Sequence, residues 1–299
     1  MKVRVGFGLG TLGAGGDAGR FAGIVDALED LRFDSLWVSE RATGPTLDPM
    51  IALALAAGRT TRLKLGTSVQ VLPGRNPVLL AKEWATLDVL SGGRALPAFG
   101  LGVVDPVEQQ AFGVTREERV ARFDETLALL RRFWADDTVD HDGRFHHYEG
   151  VGIGVHPVQR HLDVWLGGQS SGELRRVGRV ADGWLPSFTT PEIVDAGRTA
   201  VVAAATEAGR EMDDEHWGVL VAYAPREIPD TVAKIVATRL PGVDPARVVP
   251  VGHAALRRLL QAYVAVGFSK LVPVPFGATV DDWDAELRSL ADATLDLQT

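Results

Sequence analysis

"RLKLGTSVQVLPGRNPVLLAKEWATLDVLSGGR", residues 62–94, decides the fold. A strand fits Leu63 to Val71, and Pro77 then opens a helix in which Leu80, Trp84, Leu87 and Leu90 share one face. The "SGG" at 91–93 stops that helix, and "RALPAFGLG" resumes strand directly. Strand, helix and strand in this order make the βα unit of a parallel sheet. The middle of the first strand is odd, because Gly66, Thr67 and Ser68 put small residues where a buried strand is expected to carry bulk. Something has to lie against that backbone.

The same alternation runs outward in both directions. "VRVGFGLG" (3–10) reads as a first strand, Phe21, Ile24, Val25, Leu28 and Leu31 recur at helical spacing, and "DSLWVSE" (34–40) is a second strand. Asp48 is an N-cap and Pro49 the first helical position of the next helix. Residues 117–135 form a long amphipathic helix, whereas 136–163 has neither period and is an excursion. The pattern resumes with "VWLGG" (164–168), the helix "SGELRRVGRVA", "GWLPSF" (183–188), a helix over 191–208 and "HWGVLVAYA" (216–224). After a second excursion come a helix over 253–266, "KLVPVPFG" (270–277) and a last helix over 281–296. The count closes at about eight cycles, which at this length predicts a (β/α)8 TIM barrel with insertions, an α/β fold whose active site lies at the carboxyl ends of the strands. An open doubly wound sheet is the alternative. No linker or repeat divides the chain, so 1–299 is read as a single domain.

Composition narrows the partners. The 299 residues are 46% apolar and 23% charged, enough for a large core, and the absence of cysteine excludes disulfides, thiolate metal sites and a thiol nucleophile. A net charge of −8 argues against nucleic acid. "MKVRVGFGLG" lacks the apolar stretch of a signal peptide, and no run of about 18 apolar residues suggests a membrane span. A soluble, cytoplasmic protein with small-molecule partners is expected.

If the barrel is right, the strand ends carry the functional atoms: Glu40 and Arg41, then Thr67, Ser68 and Val69, then Gly100 and Gly102, then Gly167, Gly168 and Gln169. "WLGGQSSGEL" joins a strand ending in two glycines to a Ser-rich helix start, whose free N–H groups suit a phosphate, although a tight turn explains the glycines equally. Gly8, Gly10 and Gly13 match a dinucleotide fingerprint only loosely. Glu40 is either a structural partner for an arginine or a group meant for a ligand. Asp48, Asp88 and Asp105 read as caps or loop formers, and the seven tryptophans as core. His141, His146, His147, His156 and His161 cluster in the first excursion without metal-ligand spacing, so no metal site is expected. Ser68 lies within a strand and not at a nucleophile elbow.

Taken together, "DSLWVSER", the block at 62–94, "FGLG…EQQAFGV", "VWLGGQSSGELRRVGRVADGWLP" and "LLQAYVAVGFSKLVPVP" resemble the luciferase-like monooxygenase family, in particular the subgroup that uses a 5-deazaflavin, coenzyme F420. The resemblance covers nearly the whole chain. It implies a third-strand bulge with a non-proline cis peptide at Ser68–Val69 backing the central ring of a flavin-like cofactor, so that the small residues let the backbone approach the ring. It also implies that Gly167, Gly168 and Gln169 hold the cofactor phosphate, and that the protein is a homodimer. In the best-known deazaflavin dehydrogenases the second strand ends in Asp-His, whereas here the pair is Glu40–Arg41, and an always-protonated Arg cannot act as a base. The expectation is therefore a hydride-transferring oxidoreductase in which Arg41 orients or polarises a substrate oxygen or anionic group and Glu40 holds the cofactor or Arg41. FMN, and with it a monooxygenase, is the alternative. A barrel hydrolase or isomerase of a phosphorylated metabolite, with Glu40 and Glu108 as acid and base, and a non-catalytic cofactor-binding protein are the other readings. Substrate identity lies in 103–116, 136–163 and 225–252, which carry no motif.

Overall fold

The computed structural model describes residues 1–11, 17–276, 280 and 282–299. Gly13, Gly277 and Asp281, which the sequence reading placed in the first glycine pattern, the last strand and the last helix, lie outside them. The chain runs β1 (Arg4–Val5), β2 (Phe7–Gly8), α1 (Ala18–Asp30), β3 (Ser35–Val38), α2 (Pro49–Arg59), β4 (Lys64–Thr67), β5 (Gln70–Val71), α3 (Pro77–Ser91), β6 (Ala95–Leu96) and β7 (Ala98–Gly100). It continues through α4 (Pro106–Phe112), α5 (Arg119–Ala135), β8 (Val139–Asp142), β9 (His147–Val151), β10 (Trp165–Leu166), α6 (Ser171–Val180), β11 (Gly183–Trp184) and α7 (Pro191–Glu207). Last come β12 (Gly218–Tyr223), α8 (Asp230–Arg239), α9 (Gly252–Ala265), β13 (Lys270–Pro275) and α10 (Trp283–Thr294).

Among the described residues, every ladder apart from the β8–β9 hairpin is parallel, and the ladders close. β2 pairs with β3, β3 with β4, β4 with β6, β5 and β10 with β7, and β10 with β11. Bridges Trp184–Trp217 and Ser187–Leu220 link β11 to the seventh barrel strand, and β13 joins β12 to β1 through Arg4–Lys270. An open doubly wound sheet would leave two edges unpaired, so the closed (β/α)8 barrel is the fold. Pro273 and Pro275 lack an N–H, and they sit in β13 beyond Leu271, where its ladder to β1 has ended.

The caps follow the sequence. Asp48 accepts from the Ile51 N–H with Pro49 at the first position, and Gly92 takes a left-handed φ of 68° to end α3. Arg94 of the "SGGR" stretch donates to the carbonyls of Ser91, Leu63, Ala57 and Thr60 and to the Thr60 hydroxyl. That side chain therefore ties the ends of α2 and α3 to the start of β4. Its role is structural.

Two indoles fill the barrel interior. Trp37 and Trp165 meet edge to face with centroids 6.2 Å apart, among Ala98, Leu185 and Val272. The strands near them carry glycine: a Cβ on Gly66, in register with Trp37 on the next strand, would stand 2.5 Å from Cε3 of Trp37, and one on Gly218 3.1 Å from Cζ3 of Trp165. Gly183 faces the Trp165 ring in the same way. The flat object against the Gly66 backbone is thus the protein's own indole, which corrects, for Gly66, the expectation that the small residue there makes room for a cofactor. Thr67 is equally committed, its hydroxyl donating to the Ala98 carbonyl at 2.7 Å and accepting from the Ala98 N–H at 3.0 Å. Only Ser68 and Val69 of the small stretch are less than fully buried.

The excursions have structure that lacked a periodic signal. Residues 103–116 contain α4, 136–163 the hairpin, and 225–252 carries α8, which packs Val232 and Val236 on Ala222, Val248 and Phe276. Asp88 pins the first long excursion by accepting from the N–H and the side-chain amide of Gln159. At the amino ends of the strands, Asp34 holds Lys270 at 3.0 Å and Lys64 and Arg4 at 3.6 Å.

Gly66→Ala is expected to cost about 1–3 kcal/mol by overpacking against Trp37. Trp37→Leu in the same chain should recover part of that loss, a non-additivity read from denaturation midpoints. A Gly66→Ala protein as stable as its parent would contradict this account of the interior.

Candidate functional site

The strand ends meet in one mouth. Ser68–Val69 is a cis peptide joining β4 to β5. The Ser68 N–H donates to the Val38 carbonyl at 2.9 Å, and the Ser39 hydroxyl donates to the Ser68 carbonyl at 3.0 Å. Val69 projects between the ends of the two neighbouring strands: a Cβ on Gly100 would lie 2.5 Å from its Cγ2, and one on Gly167 3.5 Å from its Cγ1. Gly102, at φ 78°, faces Val71 in the same manner. The outcome is a floor of main chain and one valine, bordered by glycines at the ends of the next strands.

Glu40 and Arg41 adjoin in sequence but turn to different partners. Glu40 accepts the Val71 N–H at 2.7 Å and pairs with Arg75, whose Nε donates to the Val71 carbonyl at 2.9 Å. Together they clamp both polar groups of one residue. Burial pushes the Glu40 carboxyl above its usual range, and Arg75 opposes that rise. Arg41 places its Nε 3.3 Å from Glu108 and its Nη2 3.7 Å from Asp105, and that Nε has no aligned hydrogen bond. Glu108 also accepts from the N–H groups of Ala42 and Thr43 and from the Thr43 hydroxyl. Burial works against its charge, yet these donors hold its pKa below the usual value. Of the two expected partners of Glu40, the cofactor or Arg41, the second is replaced by two separate pairs, Glu40–Arg75 and Arg41–Glu108.

At the fifth strand, Gly168 is left-handed at φ 97° and abuts Glu173. Two of the amides expected to be free for a phosphate are occupied: Glu173 accepts from the N–H groups of Gln169 at 3.0 Å and Ser170 at 2.9 Å, completing a capping box with Ser170. The Gln169 side chain donates to the Ser187 carbonyl at 2.7 Å. An anion at these two amides competes with the Glu173 carboxylate.

Several side chains found here were missed. Arg75 lies in a turn, "LPGRNP", with no periodic signal, and its partner is brought to it by folding alone. Glu173 was readable, since Ser170-x-x-Glu173 is the capping-box spacing. Phe188, at φ 51°, sits just past the sixth strand with Arg239 5.1 Å from its ring centre. The histidines of the excursion mostly fasten it, His141 to Glu125 and His156 to the Trp134 carbonyl. His161, Asp163 and Asp182 approach one another at the opposite, amino-terminal face, where Arg131 and Arg210 already pair with Asp182. Among the described residues, no helix is long and apolar enough to cross a membrane.

Comparison with known proteins agrees with this geometry. The F420-dependent glucose-6-phosphate dehydrogenase of Kineococcus radiotolerans is 28% identical over 177 residues, 56% of this chain and 52% of that protein. The chain spans about half the length of the curated relatives it matches first. The coenzyme F420 dependent tetrahydromethanopterin reductase of Methanopyrus kandleri superposes with a TM-score of 0.80 at 18% identity, covering 100% of both chains. The oxygenating constituent of 3,6-diketocamphane monooxygenase from Pseudomonas putida, in complex with FMN, gives 0.80 at 17% identity over 100% of this chain and 98% of that one. With a family model for luciferase-like monooxygenases matching residues 5–259, the closed barrel and its glycine-lined mouth belong to a member of the luciferase-like monooxygenase family.

Proposed function

We propose that this protein is an oxidoreductase that moves a hydride between coenzyme F420 and a small organic substrate, with FMN and monooxygenation as the alternative pairing. The observation that carries the reading is the floor at Ser68–Val69, where the glycines Gly100 and Gly167 at the ends of the next strands accommodate Val69. Relatives by sequence and by fold include proteins described as F420-dependent and one seen with FMN. A bound 5-deazaflavin supplies a carbon that exchanges hydride, whereas reduced FMN reacts with oxygen.

In this reading Ser68, Val69, Gly100 and Gly102 line the ring, Thr67 stays in the wall behind them, and Gly167, Gly168 and Gln169 face the anionic tail. Glu40 keeps Val71 in place through Arg75. Arg41, held by Glu108 and Asp105 and about a third exposed, directs its remaining N–H groups at a substrate oxygen. The hydrolase or isomerase reading is the weaker one, since Glu40 is bound by the Val71 amide and Arg75, and Glu108 by two main-chain amides, the Thr43 hydroxyl and Arg41. The homodimer implied by the resemblance belongs to the proposal, with sedimentation velocity as its check.

Side-by-side calorimetry with F420 and FMN tests the function, and saturable F420 binding is expected. Binding of neither would overturn it, and binding without turnover on a broad substrate panel would favour a cofactor carrier.

If the helix start at 170 takes the phosphate, Glu173→Gln removes a competing charge worth roughly 1 kcal/mol at a partly exposed site. It should tighten FMN by about fivefold while leaving riboflavin, which has no phosphate, unchanged. Equal effects on both ligands would place the anion elsewhere.

Arg75→Ala should lower stability at pH 7 by about 2–3 kcal/mol, somewhat less than for fully buried pairs because Arg75 is partly exposed. Below the usual carboxylate range Glu40 is protonated in both folded and unfolded chains, so the deficit should be small there. It should grow as the pH rises, because the unfolded chain ionises first while the unpaired, buried Glu40 retains its proton. Thermal melts across pH 4 to 8 read this out; a deficit independent of pH would show that Arg75 acts by packing alone.

A further inference from the structure

The first long excursion returns to the barrel through His161, Leu162 and Asp163, at the amino ends of the strands. Asp163 lies close to Asp182 there, and the two carboxylates are supported differently. Asp182, between α6 and β11, accepts from Arg131 of α5 at 2.7 Å, from the Val164 N–H at 2.9 Å and from Arg210, which follows α7, at 3.3 Å. Among the described residues no N–H group or guanidinium bonds the Asp163 carboxylate. Its ion-pair partners are two imidazoles, His216 with Nε2 at 3.5 Å and His161 with Nε2 at 4.0 Å.

The contacts of those imidazoles depend on protons. His216 brings Nδ1 to 3.1 Å from the Asp182 carbonyl, so that nitrogen carries a proton, and Nε2 can bind Asp163 only by carrying a second one. Nε2 of His161 lies 3.1 Å from Arg131 Nη1, a donor, and 3.1 Å from Asp182 Oδ1, an acceptor. One nitrogen cannot serve both. Without a proton it accepts from Arg131, and with one it donates to Asp182. Burial raises the Asp163 carboxyl above its usual range, with Asp182 adding to the rise and His216, His161 and Arg131 opposing it. A carboxyl raised in this way stabilises the fold at low pH and loses that contribution as the pH rises, the direction in which imidazoles lose their second proton. With two guanidinium groups already on Asp182, the cluster suits protons and not a metal cation.

We propose that His161, Asp163 and His216 form a proton-operated joint at the root of the first excursion. With both imidazoles protonated, His216 holds Asp163, His161 holds Asp182, and residues 161–163 are fastened to the chain entering β12 and to the turn before β11. With both neutral, Asp163 keeps a partly buried charge without a cation, His161 turns to Arg131, and the segment loosens. His216 and Asp163 are the more buried pair and carry most of the effect. The stretch that responds is bounded by Gln159, which is bound to Asp88, and by β10. None of the mouth residues takes part, so the joint acts with or without a cofactor.

Amide exchange of the full chain at pH 6 and pH 8, corrected for the intrinsic rates, tests this at residues 160–164. Protection there should fall by about fivefold at pH 8 in the parent, while α3 keeps its own. Asp163→Asn removes the charge and His216→Gln donates at every pH, so each should abolish the difference, with melting curves confirming that the variants fold. Equal protection of 160–164 at both pH values in the parent, a fall shared evenly with α3, or the same fall in both variants would overturn the proposal. The parent's response decides by itself if neither variant folds.

Discussion

The contact on which the rest of the structure depends is that of the Trp37 indole with the main chain of Gly66. It brings an aromatic ring into the barrel axis beside Trp165 and makes the interior solid below the mouth. Each such ring removes about 150–250 Å² from water. It fits only because the strands around it give up their side chains, at Gly66 for Trp37 and at Gly183 and Gly218 for Trp165. The interior is thus a set of large and absent side chains matched across strands, the close packing that leaves no spare volume in a core.

The mouth repeats this rule one layer higher with a different outcome. Val69 fills the space that Gly100 and Gly167 leave, so three strand ends come together there. Charges are kept to the sides. Because successive residues of an extended chain point to opposite faces, Glu40 and Arg41 diverge, one to Arg75 and the other to Glu108. Those two pairs fasten the loop after the second barrel strand to the turn at 71–75 and to α4. The rim of the floor is therefore built by ion pairs that each bridge separate segments, and the central floor is left to neutral groups.

The helix start after the fifth barrel strand shows one feature serving two ends. Its N–H groups need an acceptor whether or not a ligand is bound, and Glu173 supplies one from within the chain. A built-in acceptor satisfies the helix and at the same time sets a threshold that any incoming anion has to exceed.

The alternation of strand and helix, the eightfold count, the caps at Asp48 and Gly92 and the strand-end positions of the mouth were legible in the amino-acid order, because periodicity and end signals act over a few residues. The family resemblance in "LKLGTSVQV" likewise anticipated the cis bond at Ser68–Val69. Tertiary structure alone decided what the small residues face. Gly66 reads the same whether an indole or a ligand covers it, and Trp37 reaches it from another strand. It also decided that Glu40 belongs to Arg75 and that Arg41 belongs to Glu108 of α4. Those facts concern groups distant along the chain, whose meeting is set by barrel closure and side-chain direction, and no local pattern encodes them.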